Sequence, residues 1–385
     1  MNILHLCFDG HAISHTIPIF DKYYPNSNYW FISGSPDENK RLTKVEGENI
    51  TWITPWTGDS YLNQVNNVVE QKDVSVIFCH SVINYYIDVL RFLSVKKKYK
   101  VYWIFWGFEL YWPLGYSGKK RLIDNSCILN PMTYVQPTKW AGLYWYNLRR
   151  HQSPDKIIVD FLKYADYFCF WLYDDYQMLQ TYYPSPIKYK FFQYAARWKD
   201  NDDDYCMPGS FFCKKTRTII VNHQASKTGN HITIMKKLKS LTGIDDYHIF
   251  SPLSYGARSI RRYVCWKGRK YFKGNFHALT DFVPRDDYYN LVGSAEIAIF
   301  GQLRQEAAGN IEFFLTNGTK VFMREDNVLY QHYKKQGYII FSFEKDLNTI
   351  DDLVGLTMEE KEYNVKVHEA NIIYYDDFMP CLLED

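Results

Sequence analysis

A chain of 385 residues is too long for one ordinary hydrophobic core and long enough for two domains of the usual size. Apolar residues make up 46% of it, yet no run approaches the roughly 18–20 uninterrupted apolar residues that a membrane-crossing helix needs, so a spanning protein is excluded. The net charge of +2 excludes a chain-wide electrostatic grip on nucleic acid, and any basic surface has to be local.

Met1 to Leu6 leads straight into a strand-like pattern, without the basic, apolar and small-residue regions of a signal peptide. Eight cysteines without a CxxC pair suit a reducing compartment better than a disulfide framework or a zinc site. The expectation is a cytoplasmic protein with no metal. Aromatic residues are 18% of the chain, with 34 Tyr, 25 Phe and 11 Trp. Their flat faces with polar handles suit sugar stacking and a membrane headgroup zone. A compositional habit of the source would explain them equally.

In chain order, strand-like runs at residues 2–8, 29–32, 74–79 and 100–105 alternate with amphipathic segments, which predicts a parallel α/β lobe. His5, Asp9, His11 and His15 crowd the end of the first run. Asp9 and His15 are candidate general bases, since such side chains take a proton near neutral pH, while His5 is as readily a core residue. His80, ending the third run, joins the candidate acceptor-binding set.

The run YWIFWGFELY at 102–111 is the most distinctive local sequence. A buried strand delivers Trp106 and Gly107 to its carboxyl end, where the glycine lets the chain turn and Glu109 emerges beside aromatic faces. Stacked aromatics with one carboxylate hold a pyranose, and partial desolvation raises such a carboxylate toward a useful base. Trp106, Gly107 and Tyr111 are therefore candidate acceptor-binding residues and Glu109 a candidate base; a plain strand followed by an aromatic loop is the alternative.

Residues 139–150 then mix Lys139, Trp140, Trp145, Tyr146, Arg149 and Arg150. A helix is expected over 157–165 and a strand over 167–171. Residues 197–215 are polar and carry Asp202 to Asp204 and Pro208-Gly209, the signature of an inter-lobe linker. A second α/β series follows at 218–222, 247–250, 296–300, 320–323 and 338–341, and the tail from 358 to 385 reads as mostly helical.

Within the second series, IIVNHQASKTGNH at 219–231 reads as strand, polar loop and helix start. Backbone N–H groups there attract phosphate, and Asn222, Ser226, Lys227 and Asn230 add polar and charged groups, although the GxxxxGK[ST] spacing of a phosphate loop is absent. FSPLSYG at 250–256 turns at the same sheet edge, so Ser251, Pro252 and Tyr255 are placed to frame a nucleotide base. FGQLRQEAAGNI at 300–311 brings Arg304 to pair with a diphosphate and Glu306 to accept from a ribose, with Gly309, Asn310 and Ile311 opening a helix. The basic and aromatic run from Arg258 through Trp266 to Lys273 reads as membrane contact, nucleic-acid stacking or a merely solvated face. Lys96 to Lys98 reads as a solvated loop.

These segments together resemble glycosyltransferase family 56, whose members pass 4-acetamido-4,6-dideoxygalactose from dTDP to a polyprenyl-linked saccharide in enterobacterial common antigen synthesis. His5, Asp9 and His15 match the family's N-terminal His, Asp and His. Residues 106–111 are similar to its WGADLY, with Glu109 in place of Asp. Residues 221–231 parallel its GNSGDxSNEH, 251–256 its VPMGYP, and 304–311 its RQQGIGTL, with Glu306 in place of Gln. The loop at Asn222-His223 lacks the family's first glycine, and 258–274 departs from it.

The resemblance implies a GT-B fold: two Rossmann-like lobes facing each other across a cleft, with helix dipoles and basic side chains stabilising the leaving diphosphate without metal. The expected division is 1–196 for the acceptor lobe, 197–216 for the linker, 217–360 for the nucleotide-sugar lobe, and 361–385 for a helical tail packing back on the first lobe. The activity implied is transfer of a deoxyamino sugar from a dTDP or UDP donor to a lipid-linked saccharide at the inner face of the cytoplasmic membrane in bacterial surface polysaccharide synthesis. No nucleic-acid partner is expected. A pyruvyl-type transferase on a similar fold and a non-catalytic carbohydrate or nucleotide binder are the alternatives.

Overall fold

Runs of consecutive apolar residues, buried on both faces, form the strands of two all-parallel sheets in the computed structural model, which describes residues 1–35, 37–54, 60–125, 154–199 and 214–384. The first sheet comprises β1 Asn2–Phe8, β2 Asn28–Ser33, β3 Ile50–Ile53, β4 Val74–His80, β5 Lys100–Ile104, β6 Tyr167–Cys169 and β7 Lys188–Lys190, in the spatial order β3-β2-β1-β4-β5-β6-β7. Parallel neighbours require crossovers, and those described carry α1 His11–Tyr23, α2 Ser60–Gln71, α3 Asn84–Ser94, α4 Phe108–Tyr116, α5 Pro154–Leu162 and α6 Tyr173–Tyr182.

The second sheet comprises β8 Thr216–Val221, β9 His248–Pro252, β10 Phe276–Leu279, β11 Ala295–Phe300, β12 Lys320–Met323 and β13 Phe341–Ser342, in the order β10-β9-β8-β11-β12-β13. Its helices are α7 His231–Lys239, α8 Arg258–Phe272, α9 Arg285–Gly293, α10 Ala308–Thr316, α11 Val328–Gln336 and α12 Met358–Ala370. Each sheet reverses its direction of growth once, between β1 and β4 and between β8 and β11. The loops leaving the carboxyl ends of those strand pairs diverge, and open α/β sheets bind ligands in the crevice so formed.

β3, β7 and β10 were not legible as strands in the sequence, and all three are edge strands. An edge strand packs on fewer neighbours, so it needs no unbroken apolar run, and these three are mostly half-buried or exposed along their length. The run expected at 338–341 shortens to the two-residue edge strand β13.

The chain folds into two compact units, one of residues Met1–Ser117, Arg149–Asp204 and Ile373–Asp385, the other of Gly118–Leu148 and Tyr205–Ile372. It therefore passes between units more often than a single linker at 197–216 would require. Residues 118–125 belong to the second unit because Asp124 is caught there: its N–H donates to Asn230 Oδ1 at 2.8 Å and its carboxylate pairs with Arg324 Nη1 at 2.7 Å. Helix α12 also stays in the second unit, where Asn364 bonds both backbone groups of Ile339.

Only the last stretch joins the first unit. Arg197 pairs with its backbone, its N–H donating to the Ile373 carbonyl and its own carbonyl accepting from the Tyr375 N–H, both at 2.9 Å. Tyr375, Phe378, Met379 and Leu382 then enter the same core as Ile3, Phe20, Trp30 and Phe78. Full burial of such side chains contributes about 1.5–3 kcal/mol each. The basic stretch at 139–150, Asp202 to Asp204 and Pro208-Gly209 lie outside the described residues. Among those described, no helix is long and apolar enough to cross a membrane.

Candidate functional site

At the carboxyl edge of the first sheet, the five-residue strand β5 is buried along almost its whole length and stops at Ile104. Gly107 then adopts φ 100°, a conformation that L side chains rarely take, and caps α4. This turn puts Glu109 in the first turn of the helix, with Oε1 accepting from the Trp106 N–H at 3.0 Å and from Trp103 Nε1 at 3.3 Å. The residue is 5% exposed, and burial pushes its carboxyl up to about 7 despite the donors of Trp106 and Trp103. Ser81 adjoins it and favours its anion without reaching hydrogen-bond geometry.

Three buried polar atoms at this edge, Glu109 Oε2, Ser81 Oγ and Trp106 Nε1, have no hydrogen-bond partner among the described residues. Unsatisfied buried groups are uncommon, and their concentration around one carboxyl near neutrality suits a site for a hydroxylated ligand. Ser81 is itself held at φ 94°, strain of the kind found at functional edges.

His80 and Tyr194 extend the cluster inward. Asn28 Nδ2 donates to Asp21 Oδ1 at 2.9 Å and to the Tyr24 carbonyl at 2.8 Å, so its Oδ1 is the acceptor for His5 Nε2 at 3.1 Å. His5 Nδ1 must then accept from His80 Nε2 at 3.1 Å, and His80 Nδ1 accepts the Tyr194 hydroxyl at 3.0 Å. One asparagine amide thus sets the tautomers of two fully buried histidines and the direction in which Tyr194 donates. Burial lowers both histidines, His80 to about 3 and His5 well below its ordinary value, so both are neutral. The Tyr194 ring lies 4.6 Å from that of Trp106.

The other first-unit candidates fall elsewhere. Asp9 Oδ2 and Oδ1 accept the backbone N–H groups of Leu42 and Thr43 at 2.8 Å, so this carboxylate ties a loop. His15 is exposed on α1. Tyr111 is fully buried and donates to Asp175 Oδ1 at 2.5 Å, facing the core. His80 is fully buried with both ring nitrogens engaged, and so reaches any ligand only through Tyr194.

In the second unit the loops after β8 and β11 meet at the switch point. Asn222, at φ 59°, donates to the Gly229 carbonyl at 2.8 Å and accepts the Gly301 N–H at 2.9 Å. Asn230 donates to the Gly301 carbonyl at 2.9 Å. A Cβ at Gly301 would meet the Gly229 carbonyl oxygen at 2.3 Å, so only glycine permits this approach. Asn222 and Asn230 are fully buried clamps that shape the loops without lining a surface.

Glu306 is the hub of that junction. Its Oε1 accepts from Gln224 Nε2, and its Oε2 accepts from Thr228 Oγ1 at 2.8 Å and pairs with Arg304 Nη2 at 3.1 Å. Both oxygens are engaged, so Glu306 orients Arg304 instead of waiting for a ribose. The Arg304 side chain is 19% exposed, and its guanidinium has no other hydrogen-bond or ion-pair partner among the described residues. Ser226 Oγ caps the short turn Lys227–Gly229 by accepting the Thr228 N–H at 3.2 Å. Burial lowers the Lys227 ammonium.

A cavity of ≈ 300 Å³ opens at this edge, lined by His223 and Gln224 after β8, Tyr255 after β9, Phe282 and Tyr288 after β10, and Asn310 on α10. Tyr255 and Phe282 are exposed and meet edge to face at 5.9 Å, while Tyr288 donates to Asn310 Oδ1 at 3.1 Å. Ala307, at φ 72°, is the N-cap of helix α10, which has no side-chain cap and no acidic residue in its first turn. By contrast α9 and α12 carry two carboxylates each in their first turns. The open N–H groups of α10 make a ready anion site. Gly309 and Asn310 belong to this start, whereas Ile311 is core. Ser251 and Pro252 are buried within β9, and only Tyr255 of that turn reaches the cavity.

The aromatic residues around this cavity, Phe282, Tyr288 and Tyr289, were not singled out in the sequence, because they follow an edge strand that left no apolar run to mark its end. Among the described residues, no three His, Cys, Asp or Glu side chains converge as a metal site would need.

Comparison with protein-family profiles and with curated proteins returns no match in sequence. Solved structures do match. The chain superposes on sucrose-phosphate synthase from Thermosynechococcus elongatus with a TM-score of 0.62 at 7% identity, covering 98% of this chain and 96% of that one. WaaG, a glycosyltransferase involved in lipopolysaccharide biosynthesis, gives 0.58 at 10% identity over 99% and 100%. Anabaena Alr3699/HepE in complex with UDP gives 0.53 at 9% over 96% and 90%. With the two parallel sheets, these likenesses establish an α/β chain of the GT-B fold, built from two Rossmann-like units.

Proposed function

We propose that this chain is a glycosyltransferase that moves a sugar from a nucleoside diphosphate to an acceptor hydroxyl. One observation carries the reading: an aromatic cavity at the switch point of the second sheet sits beside a helix start with open N–H groups and an arginine oriented by a buried glutamate. A pyrimidine and its ribose fit the aromatic part, and the diphosphate fits Arg304 with the Gly309 and Asn310 backbone. Arg304 and the α10 dipole take up the charge that develops on the leaving diphosphate. The UDP in the HepE structure supports UDP or dTDP as the nucleotide.

The acceptor belongs to the first unit in this reading, with Glu109 as base. Held near neutrality, its carboxyl accepts the proton of the attacking hydroxyl while Trp106 offers a stacking face. Asp9 is less suited, being engaged as a loop tie. The resemblance to glycosyltransferase family 56 supports a deoxyamino sugar such as 4-acetamido-4,6-dideoxygalactose. It supports also a lipid-linked saccharide acceptor in bacterial surface polysaccharide synthesis, with the enzyme peripheral to the inner face of the cytoplasmic membrane. Release of UDP or dTDP from a panel of their sugars, with and without polyprenyl-linked saccharide, tests this. Absence of release from every donor, by folded protein, contradicts it.

A further inference from the structure

Helix α8, Arg258–Phe272, carries no acidic residue, and its buried side includes Ile260, Val264 and Phe272. The exposed side is a single stripe. Arg258, Arg262, Trp266 and Lys270 recur at spacings of four, with Arg269 beside them and Lys273 continuing the line just past the last turn, and all are exposed. Trp266 is 50% exposed, with Lys267 Nζ 4.6 Å from its ring centroid.

None of the five cations at 258, 262, 269, 270 and 273 has a carboxylate partner among the described residues. In the other basic run, by contrast, Lys96 and Lys97 pair with Glu70 and Asp73 at 2.6 and 3.0 Å. In a chain of net charge +2, five cations without a carboxylate partner among the described residues, four on one helix face and the fifth just past its end, make a local positive stripe. An exposed tryptophan in the same stripe, with a lysine over its ring, adds a group at home in the headgroup layer.

We propose that the α8 stripe docks the protein on an anionic lipid surface. The proposal draws its choice of partner from the lipid-linked-acceptor reading, but vesicle binding and sugar transfer are separate measurements, so either can fail alone. Each basic residue near an anionic surface strengthens binding by about fivefold.

The test is flotation of the full chain with vesicles of phosphatidylcholine alone and with about one-third phosphatidylglycerol. The expected result is binding to the anionic vesicles only, lost on raising salt from about 0.1 M to about 1 M. The triple variant Arg258→Gln, Arg262→Gln, Lys270→Gln should bind about a hundredfold more weakly with an unchanged melting curve, since all three side chains are exposed. Trp266→Ala should weaken binding at constant salt dependence. No flotation with anionic vesicles, equal binding to neutral ones, or wild-type binding by the triple variant overturns the proposal. So does complete displacement from the vesicles by a random single-stranded RNA at a stoichiometric amount, which would make the stripe a nucleic-acid surface.

Discussion

His5 Nδ1 faces His80 Nε2 at 3.1 Å inside the first sheet, both rings fully buried and both neutral. Their folded-state affinities for protons lie below the ordinary histidine value of 6.5, His80 at about 3. The unfolded chain therefore binds more protons as pH falls below about 6.5, and the stability present above that pH is lost progressively toward the folded value. Each such histidine contributes about 1.4 kcal/mol per pH unit in that window. Melting temperatures across this acid range should fall steeply for the wild type and less steeply for His80→Gln. Equal slopes would show that the pair is not held neutral.

Glu109 makes the opposite prediction. Its carboxyl, raised to about 7 by burial, destabilises the fold increasingly as pH rises from about 4.5 through 7, because the unfolded chain ionises first. Glu109→Gln keeps the acceptor for the Trp106 N–H and removes the charge. It should gain up to about 3 kcal/mol of stability above neutrality while losing sugar transfer by about 10²–10⁴-fold. The wild-type rate should rise through pH ~7 and then level. A variant less stable at high pH, or as active as the wild type, contradicts the assignment.

Asp124 and Arg324 form a pair in which both side chains are under 10% exposed. Burial alone pushes the Asp124 carboxyl up, but Arg324, with Thr233 and Arg121 beside it, holds the group below its ordinary value. Asp124→Ala strands a buried cation that among the described residues retains only Glu344 as a carboxylate partner, and should cost about 3–5 kcal/mol in the unfolding of the second unit. Asp124→Leu with Arg324→Met should recover most of that loss. Urea titration of the single and double variants checks both.

Met379 is fully buried in the core of the first unit, about 300 residues beyond Phe78 of the same core. Met379→Ala should cost about 2–5 kcal/mol in that unit's transition, whereas Met358→Ala, which alters a side chain 49% exposed, should change stability little. Comparable effects of the two would show that the tail does not contribute to the core.

Central strands and the junctions that follow them were legible in the sequence, because β1, β4, β5, β8 and β11 need unbroken apolar runs and the glycines and polar residues that end them stand out. The Trp106 to Glu109 turn and the Arg304 to Asn310 loop were found this way. Edge strands β3, β7 and β10 left no such run, and with β10 went the aromatic side of the cavity. Residue type also overstated direct contact. Asn222, Asn230 and Glu306 have the chemistry of ligand-binding groups, yet their polar atoms are spent holding loops. Tyr194 was missed altogether, since only the folded chain shows an asparagine and two histidines aligned behind its hydroxyl.

The second unit is expected to hold a nucleoside diphosphate through Arg304 and the start of α10. Thermal shift with UDP, dTDP and the purine diphosphates, on the wild type and on Arg304→Ala, tests it most directly. At a hundredfold excess over Kd, a ligand stabilises by about 2.7 kcal/mol, a shift of roughly 5–10 °C for a unit of this size. A pyrimidine diphosphate should give that shift with the wild type and none with Arg304→Ala. No shift with any nucleoside diphosphate, or an equal shift in the variant, would contradict it.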